Sequence, residues 1–192
     1  MNTIITELKK VGVTFTEGLT PPDFRKITDI YGITFPEIWQ EFYSAALPVA
    51  EKTDPKVISH PTPFPIWNDY STENVERIKK RINAPYKWLL NDILISFDEN
   101  KNVFWPKEWG SIPETKEEAT SRFNSLTESA PTLIPVCSHR YVLMLEGISD
   151  PPVISSVGRD TVIYGKNFLD YILNEFLKPE QPQPIPFWND II

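Results

Sequence analysis

Leu133-Ile134-Pro135-Val136-Cys137-Ser138-His139-Arg140-Tyr141-Val142-Leu143-Met144-Leu145 is the stretch that decides the fold class. Alternation puts Leu133, Pro135, Cys137, His139, Tyr141 and Leu143 on one face and Ile134, Val136, Ser138, Arg140 and Val142 on the other. Both sets are largely apolar, as a strand covered on two sides requires. Two more strand candidates follow, Val153 to Val157 and Thr161 to Tyr164, and Phe168 to Leu177 then closes as a helix apolar on a wide face. Upstream the period changes. Ile4, Ile5, Leu8 and Val11 recur at helical spacing, and Thr20 followed by Pro21-Pro22-Asp23 opens a second helix that ends at Gly32. Pro36 starts another, with Ile38, Trp39, Phe42 and Tyr43 inward. Helices come first, strands next and a helix last, without βαβ alternation. The class is therefore α+β, with N-terminal helices, a mainly antiparallel sheet of about five or six strands and a C-terminal helix.

The intervening segments are read the same way. Residues 47–70 are rich in proline and predict an extended surface loop whose end, Pro65-Ile66-Trp67, packs back on the body. Ser71-Thr72 caps a helix with Val75, Ile78 and Ile82 inward, and Pro85 is expected to break it. Ile93-Leu94-Ile95-Ser96-Phe97, the polar Asp98 to Asn102 and Val103-Phe104-Trp105 predict a hairpin. Thr115 and Glu118 predict a capping box, with Ala119, Phe123 and Leu126 as the buried stripe behind it. Residues 1–178 are expected to form a single domain, and the Pro-rich tail 179–192 to follow it as an extended spacer.

At 192 residues the chain suits one domain, and 41% hydrophobic with 23% charged residues excludes a fully disordered or membrane class. Nineteen basic against 26 acidic residues give a net charge of −7, which repels nucleic-acid phosphates. Direct DNA or RNA binding and membrane association are therefore not expected. The N-terminus has no basic flank leading into an apolar run, so the expected location is cytoplasmic. A single cysteine excludes an intramolecular disulfide, and His60 and His139 cannot make an ordinary zinc site without carboxylates. No Gly-rich phosphate loop or GxSxG motif is present. The expectation is thus a non-enzymatic protein without cofactor, metal or catalytic residues. The only cysteine and one of the two histidines, Cys137 and His139, lie two apart on one strand face, and a buried thiol beside a hydrogen-bonded histidine is the preferred reading. His139 and Arg140, mid-strand among apolar residues, must find partners, either in an internal hydrogen bond or ion pair or in a ligand.

Acids gather in two places. Asp98 and Glu99 fall on the tip of the expected hairpin, and Glu114, Glu117 and Glu118 on a helix start, where the helix dipole favours them. With Trp105 and Trp109 beside them, these residues are the candidate partner-binding set: the acids steer a basic protein and the rings anchor it, unless the rings belong to the core. The expected partner is a protein, and the oligomeric state is left open.

A family pattern runs through these same blocks. Phe97-Asp98, Asn102-Val103-Phe104-Trp105, Glu108-Trp109-Gly110 with Pro113, and Glu117-Glu118-Ala119 resemble the SUKH superfamily. So do Ala130 to Val136 with Ser138-His139-Arg140-Tyr141, Thr161 to Gly165, Phe168 to Tyr171 with Asn174-Glu175-Phe176, and Ile185 to Asp190. The apolar Val142-Leu143-Met144-Leu145 departs from the pattern, which has a polar Pro-rich loop there. The resemblance implies a SUKH-like α+β fold and no cofactor. It also implies a role as an immunity protein that neutralises a bacterial toxin, often a nuclease, by direct binding. Yeast relatives imply the alternative, a regulatory or glycan-binding interaction module in cell-wall synthesis.

Overall fold

The computed structural model describes residues 1–49, 64–98 and 103–177. The tail 179–192 and Glu99 lie outside them. Six helices and two antiparallel sheets make an α+β fold: α1 (Asn2–Lys10), β1 (Thr14–Thr16), α2 (Pro21–Tyr31), α3 (Glu37–Ala45), β2 (Leu47–Val49), α4 (Thr72–Asp98), α5 (Lys116–Glu128), β3 (Leu133–Cys137), β4 (Arg140–Leu143), β5 (Val153–Val157), β6 (Asp160–Gly165) and α6 (Phe168–Phe176). A single 3₁₀ turn, Lys107–Trp109, precedes α5. β1 and β2 pair with each other, and β3-β4-β5-β6 form a meander.

Local chemistry sets the helix ends. The Thr20 hydroxyl accepts from the Asp23 N–H while the Asp23 carboxylate accepts from the Thr20 N–H at 2.8 Å, a full capping box at the start of α2. Gly32 ends that helix at φ 67°, a left-handed position that suits glycine. Asn167 caps α6 by accepting from the Asp170 N–H at 2.8 Å.

Two apolar clusters form. The main core joins α1, α2 and α3 to the sheet and α6, with Trp39 as its hub: its ring meets Phe168 at 4.9 Å and Tyr171 at 5.7 Å. Trp67, at 0% exposure, lays the segment after the proline-rich stretch onto this core. The second cluster holds Ile93, Trp105, Ala119 and Phe123 between the C-terminal half of α4 and α5.

Several local expectations are corrected. Residues 93–105 are not a hairpin, because Ile93 to Asp98 complete α4, and the helix passes through Pro85 without ending. The reason is a stripe at helical spacing, Ile78, Ile82, Tyr86, Leu89, Ile93 and Phe97, that runs past the proline and buries against both clusters. Residues 103–105 are held to the helix instead by the Ser96 hydroxyl, which accepts from the Phe104 N–H at 3.0 Å. Residues 133–145 are not one strand: the chain reverses at Ser138-His139, with Ser138 at φ 47° and a bulge between Pro135 and Cys137. That reversal ends the alternation, so Cys137 and His139 do not share a strand face; Cys137 lies opposite Arg140. Finally, Leu126 is 37% exposed, leaving Ala119 and Phe123 as the buried side of α5.

Candidate protein-binding site

The C-terminal end of α4, residues 103–109 and the start of α5 form one corner of the molecule. The Thr115 hydroxyl caps α5 by accepting from the Glu118 N–H at 3.1 Å. The Glu118 carboxylate reaches back to accept from the Glu114 N–H at 2.9 Å, one residue before the cap, so the box is a variant of the expected one. Asp98, the last residue of α4, pairs with Lys116, the first of α5. Glu118 also pairs with Arg122 at 3.3 Å. Arg122 then connects acids and rings: its guanidinium lies 5.0 Å from the Trp105 ring centre and its Nη2 donates to the Trp109 carbonyl at 3.1 Å.

The structure thus brings Asp98, Glu114, Glu117, Glu118, Trp105 and Trp109 into one neighbourhood, in different roles. Trp105 is 7% exposed and belongs to the second cluster. Trp109, half-buried, sets its ring edge-on to Trp105 at 5.3 Å and to Phe123 at 5.8 Å. Asp98 and Glu118 are engaged in ion pairs, while Glu114 and Glu117 are exposed. Ile112, at 57% exposure, stands out of the same corner. Among the described residues from Asp98 to Arg122, five acids face three cations.

Beside the corner runs an apolar groove of about 300 Å³. Tyr86 and Leu89 of α4, Phe104, Trp109, and Leu143 and Ile154 of the sheet line it. Its rim carries Arg159, whose guanidinium sits 5.5 Å from the Phe104 ring and whose backbone N–H donates to Asp92 at 2.9 Å. The sequence reading missed this groove because its walls come from three separated segments, one of them assigned to a hairpin. The stripe through Tyr86 and Leu89 was the available signal.

A second cleft, of about 730 Å³, lies between α4 and the β3–β4 turn. Glu73, Glu76, Arg77 and Lys80 line it with both signs of charge, so it selects no single sign. Arg81 at its back donates to the Ser138 carbonyl at 2.9 Å, and Ser138 Oγ lies 3.1 Å from His139 Nδ1.

Cys137 is fully buried, and burial pushes its thiol up to about 12, which works against the thiolate a nucleophile needs. Arg140 pairs with Glu175 of α6 at 2.9 Å, donates to Ser155 at 2.8 Å and stacks 3.8 Å from the Tyr164 ring centre. Desolvation opposes its charge, and Glu175 with Tyr164 outweighs that and holds it more firmly protonated. Among the described residues no group of three or more His, Cys, Asp or Glu is placed to hold a metal ion, and no helix is long and apolar enough to cross a membrane. Comparison with family models, with curated proteins and with solved structures finds no match.

Proposed function

We propose that the chain is a toxin-neutralising protein that acts by covering a cationic partner, in the manner of the SUKH-type immunity proteins its sequence resembles. The observation that supports this most is the pairing of an acidic corner with an adjoining apolar groove. Acids that are exposed and in excess draw in a basic surface over distance, and they do so more strongly at low salt. A groove of about 300 Å³ beside them admits one or two apolar side chains of the partner, the kind of buried anchor that carries interface energy. Glu114, Glu117, Ile112 and the exposed edge of Trp109 are the contacts this reading assigns; Trp105 supports Trp109 from below. A nuclease suits the role, because its substrate groove must be cationic. The overall charge of −7 acts in the same direction.

The glycan-binding alternative has less support. Of the five described tryptophans, Trp39, Trp67 and Trp105 are buried, which leaves Trp88 and Trp109 and no row of rings for a sugar chain.

The test is calorimetric titration of the full chain with any toxin domain found encoded by a neighbouring gene, with toxin activity followed in parallel. A stoichiometric complex that abolishes activity is expected, with association slowed by salt. Reversing Glu114 and Glu117 to lysine should slow association about tenfold at low ionic strength. No complex and undiminished toxin activity would overturn the proposal.

A further inference from the structure

The cleft of about 730 Å³ between α4 and the β3–β4 turn takes no part in the acidic corner, and its size is that of a small-molecule site. Its α4 wall is one helical stripe, Glu73, Arg77, Lys80, Ala84 and Trp88, at spacings of three or four residues. As a whole the cleft selects no single sign, but its charges are ordered along this stripe: acid first, cations next, then a small residue and an aromatic ring. Arg77, Lys80 and Arg81 set three cations within about one turn of the helix. Arg77 donates to the Asn74 side-chain oxygen, and among the described residues no carboxylate forms an ion pair with Arg77 or Lys80. Burial works against the Arg81 charge and the Arg77 guanidinium beside it adds repulsion, so Arg81 sits below the ordinary guanidinium value. An anion between the two guanidiniums relieves both effects.

The facing wall is held in an uncommon backbone state. Ser138, at φ 47°, is the only non-glycine residue with positive φ among the described residues, and Arg81 fixes it by donating to its carbonyl at 2.9 Å. Two large apolar side chains are left open on the walls of the same cleft, Trp88 at 42% exposure and Val157 at 50%. A helical side chain leans toward the start of its helix, which directs the Trp88 indole toward Ala84, where a methyl group leaves room beside it.

The spacing of these features identifies what fits them. Along α4, Arg81 lies about 5 Å from Ala84 and about 10 Å from Trp88. A bare anion leaves the indole open, and an aromatic carboxylate carries its charge directly on its ring, too close to engage both. A nucleoside monophosphate sets a ribose between phosphate and base, and the base offers a face for the indole to stack on. Glu73 and Glu76, on the far side of the cations, repel any further phosphate, so a single phosphate is favoured over a chain of them.

We propose that this cleft binds a nucleoside monophosphate, its phosphate held by Arg77, Lys80 and Arg81 and its base stacked on Trp88. The site uses none of the acidic-corner residues and stands apart from the toxin-binding reading.

Isothermal titration of the full chain with AMP tests it, with circular dichroism as the check that each variant is folded. Saturable one-to-one binding, weakened by salt, is expected. Adenosine and inorganic phosphate, each carrying one half of the ligand, should bind at least about tenfold more weakly, and ADP no more tightly than AMP. Trp88→Ala and Lys80→Ala change exposed side chains and should each raise the AMP dissociation constant about tenfold. Lys87→Ala, at an exposed lysine outside the cleft, should leave it unchanged. No saturable binding of AMP, inorganic phosphate bound as tightly as AMP, ADP bound more tightly, or AMP binding unchanged in both Trp88→Ala and Lys80→Ala would overturn the proposal.

Discussion

Arg140 is the residue whose environment most constrains it. Its side chain is 13% exposed and that of Glu175 16%, so each charge depends on the other for its solvation. Arg140→Met leaves the Glu175 carboxylate largely buried without its cation, and an equilibrium urea titration should show a loss of about 2 kcal/mol. Adding Glu175→Leu should recover part of that loss, because two apolar groups in contact need no solvation. Asp23 gives a different kind of prediction, in pH. Its hydrogen bonds with Thr20, and then that from the Tyr70 hydroxyl at 2.8 Å, hold its carboxyl below the usual carboxylate range. The folded state therefore binds this proton less readily than the unfolded chain. Asp23 contributes stability above the ordinary carboxylate value, and that contribution disappears as pH falls through its lowered value. Asp23→Asn should flatten the acid side of the stability-against-pH curve and leave its neutral side parallel to the original. At the same scale the sequence was informative about polar burial: a charged residue at the middle of an apolar stretch had to find a partner. That the partner is Glu175 on α6 could not be read, because the packing of that helix on the sheet is tertiary.

Among the elements, α4 shows why the outline of the fold was legible and the region around the site was not. The caps at Thr20 and Thr115 and the stop at Gly32 are local chemistry, and each acts where a sequence reading puts it. Ile93 to Phe97 is a run of four apolar residues and a serine, and a run that short fits a strand and a buried helix equally. Pro85 favours the strand, since a proline usually ends a helix. Here burial of the stripe on both sides of Pro85 outweighs the hydrogen bond the ring removes. The same ambiguity applied at Ser138-His139, where no glycine or proline marks the reversal. The two periods make opposite predictions for neighbouring residues. On a strand Ile93 and Ile95 would share a face; on α4 Ile93 is 0% exposed and Ile95 is 43% exposed. Ile95→Lys should therefore cost no more than about 0.5 kcal/mol in a urea titration, as an exposed substitution does. Ile93→Lys should unfold the second cluster, with circular dichroism reporting the loss of helix.

For the molecule as a whole, the division into a large and a small apolar cluster sets where it opens first. The main core is closed by three N-terminal helices, the meander and α6, whereas the second cluster has four buried side chains between one helix half and α5. Cooperative opening draws on the contacts that must break together, so the smaller cluster sets a lower opening free energy than global unfolding. Amides of α5 and of the C-terminal part of α4 should exchange with deuterium faster than those of β3 and β4, under conditions where exchange follows opening equilibria. Phe123→Ala removes the ring that packs beneath Trp109 and should cost about 3 kcal/mol in that unit. It should raise exchange in α5 and shift tryptophan emission to the red while β3 and β4 remain protected. Uniform exchange across both clusters would mean that α4, which passes from one to the other, couples them into a single cooperative unit. The acidic corner rests on the smaller cluster, so the partner proposed above would close this opening, and α5 protection on complex formation is the footprint that binding there would leave.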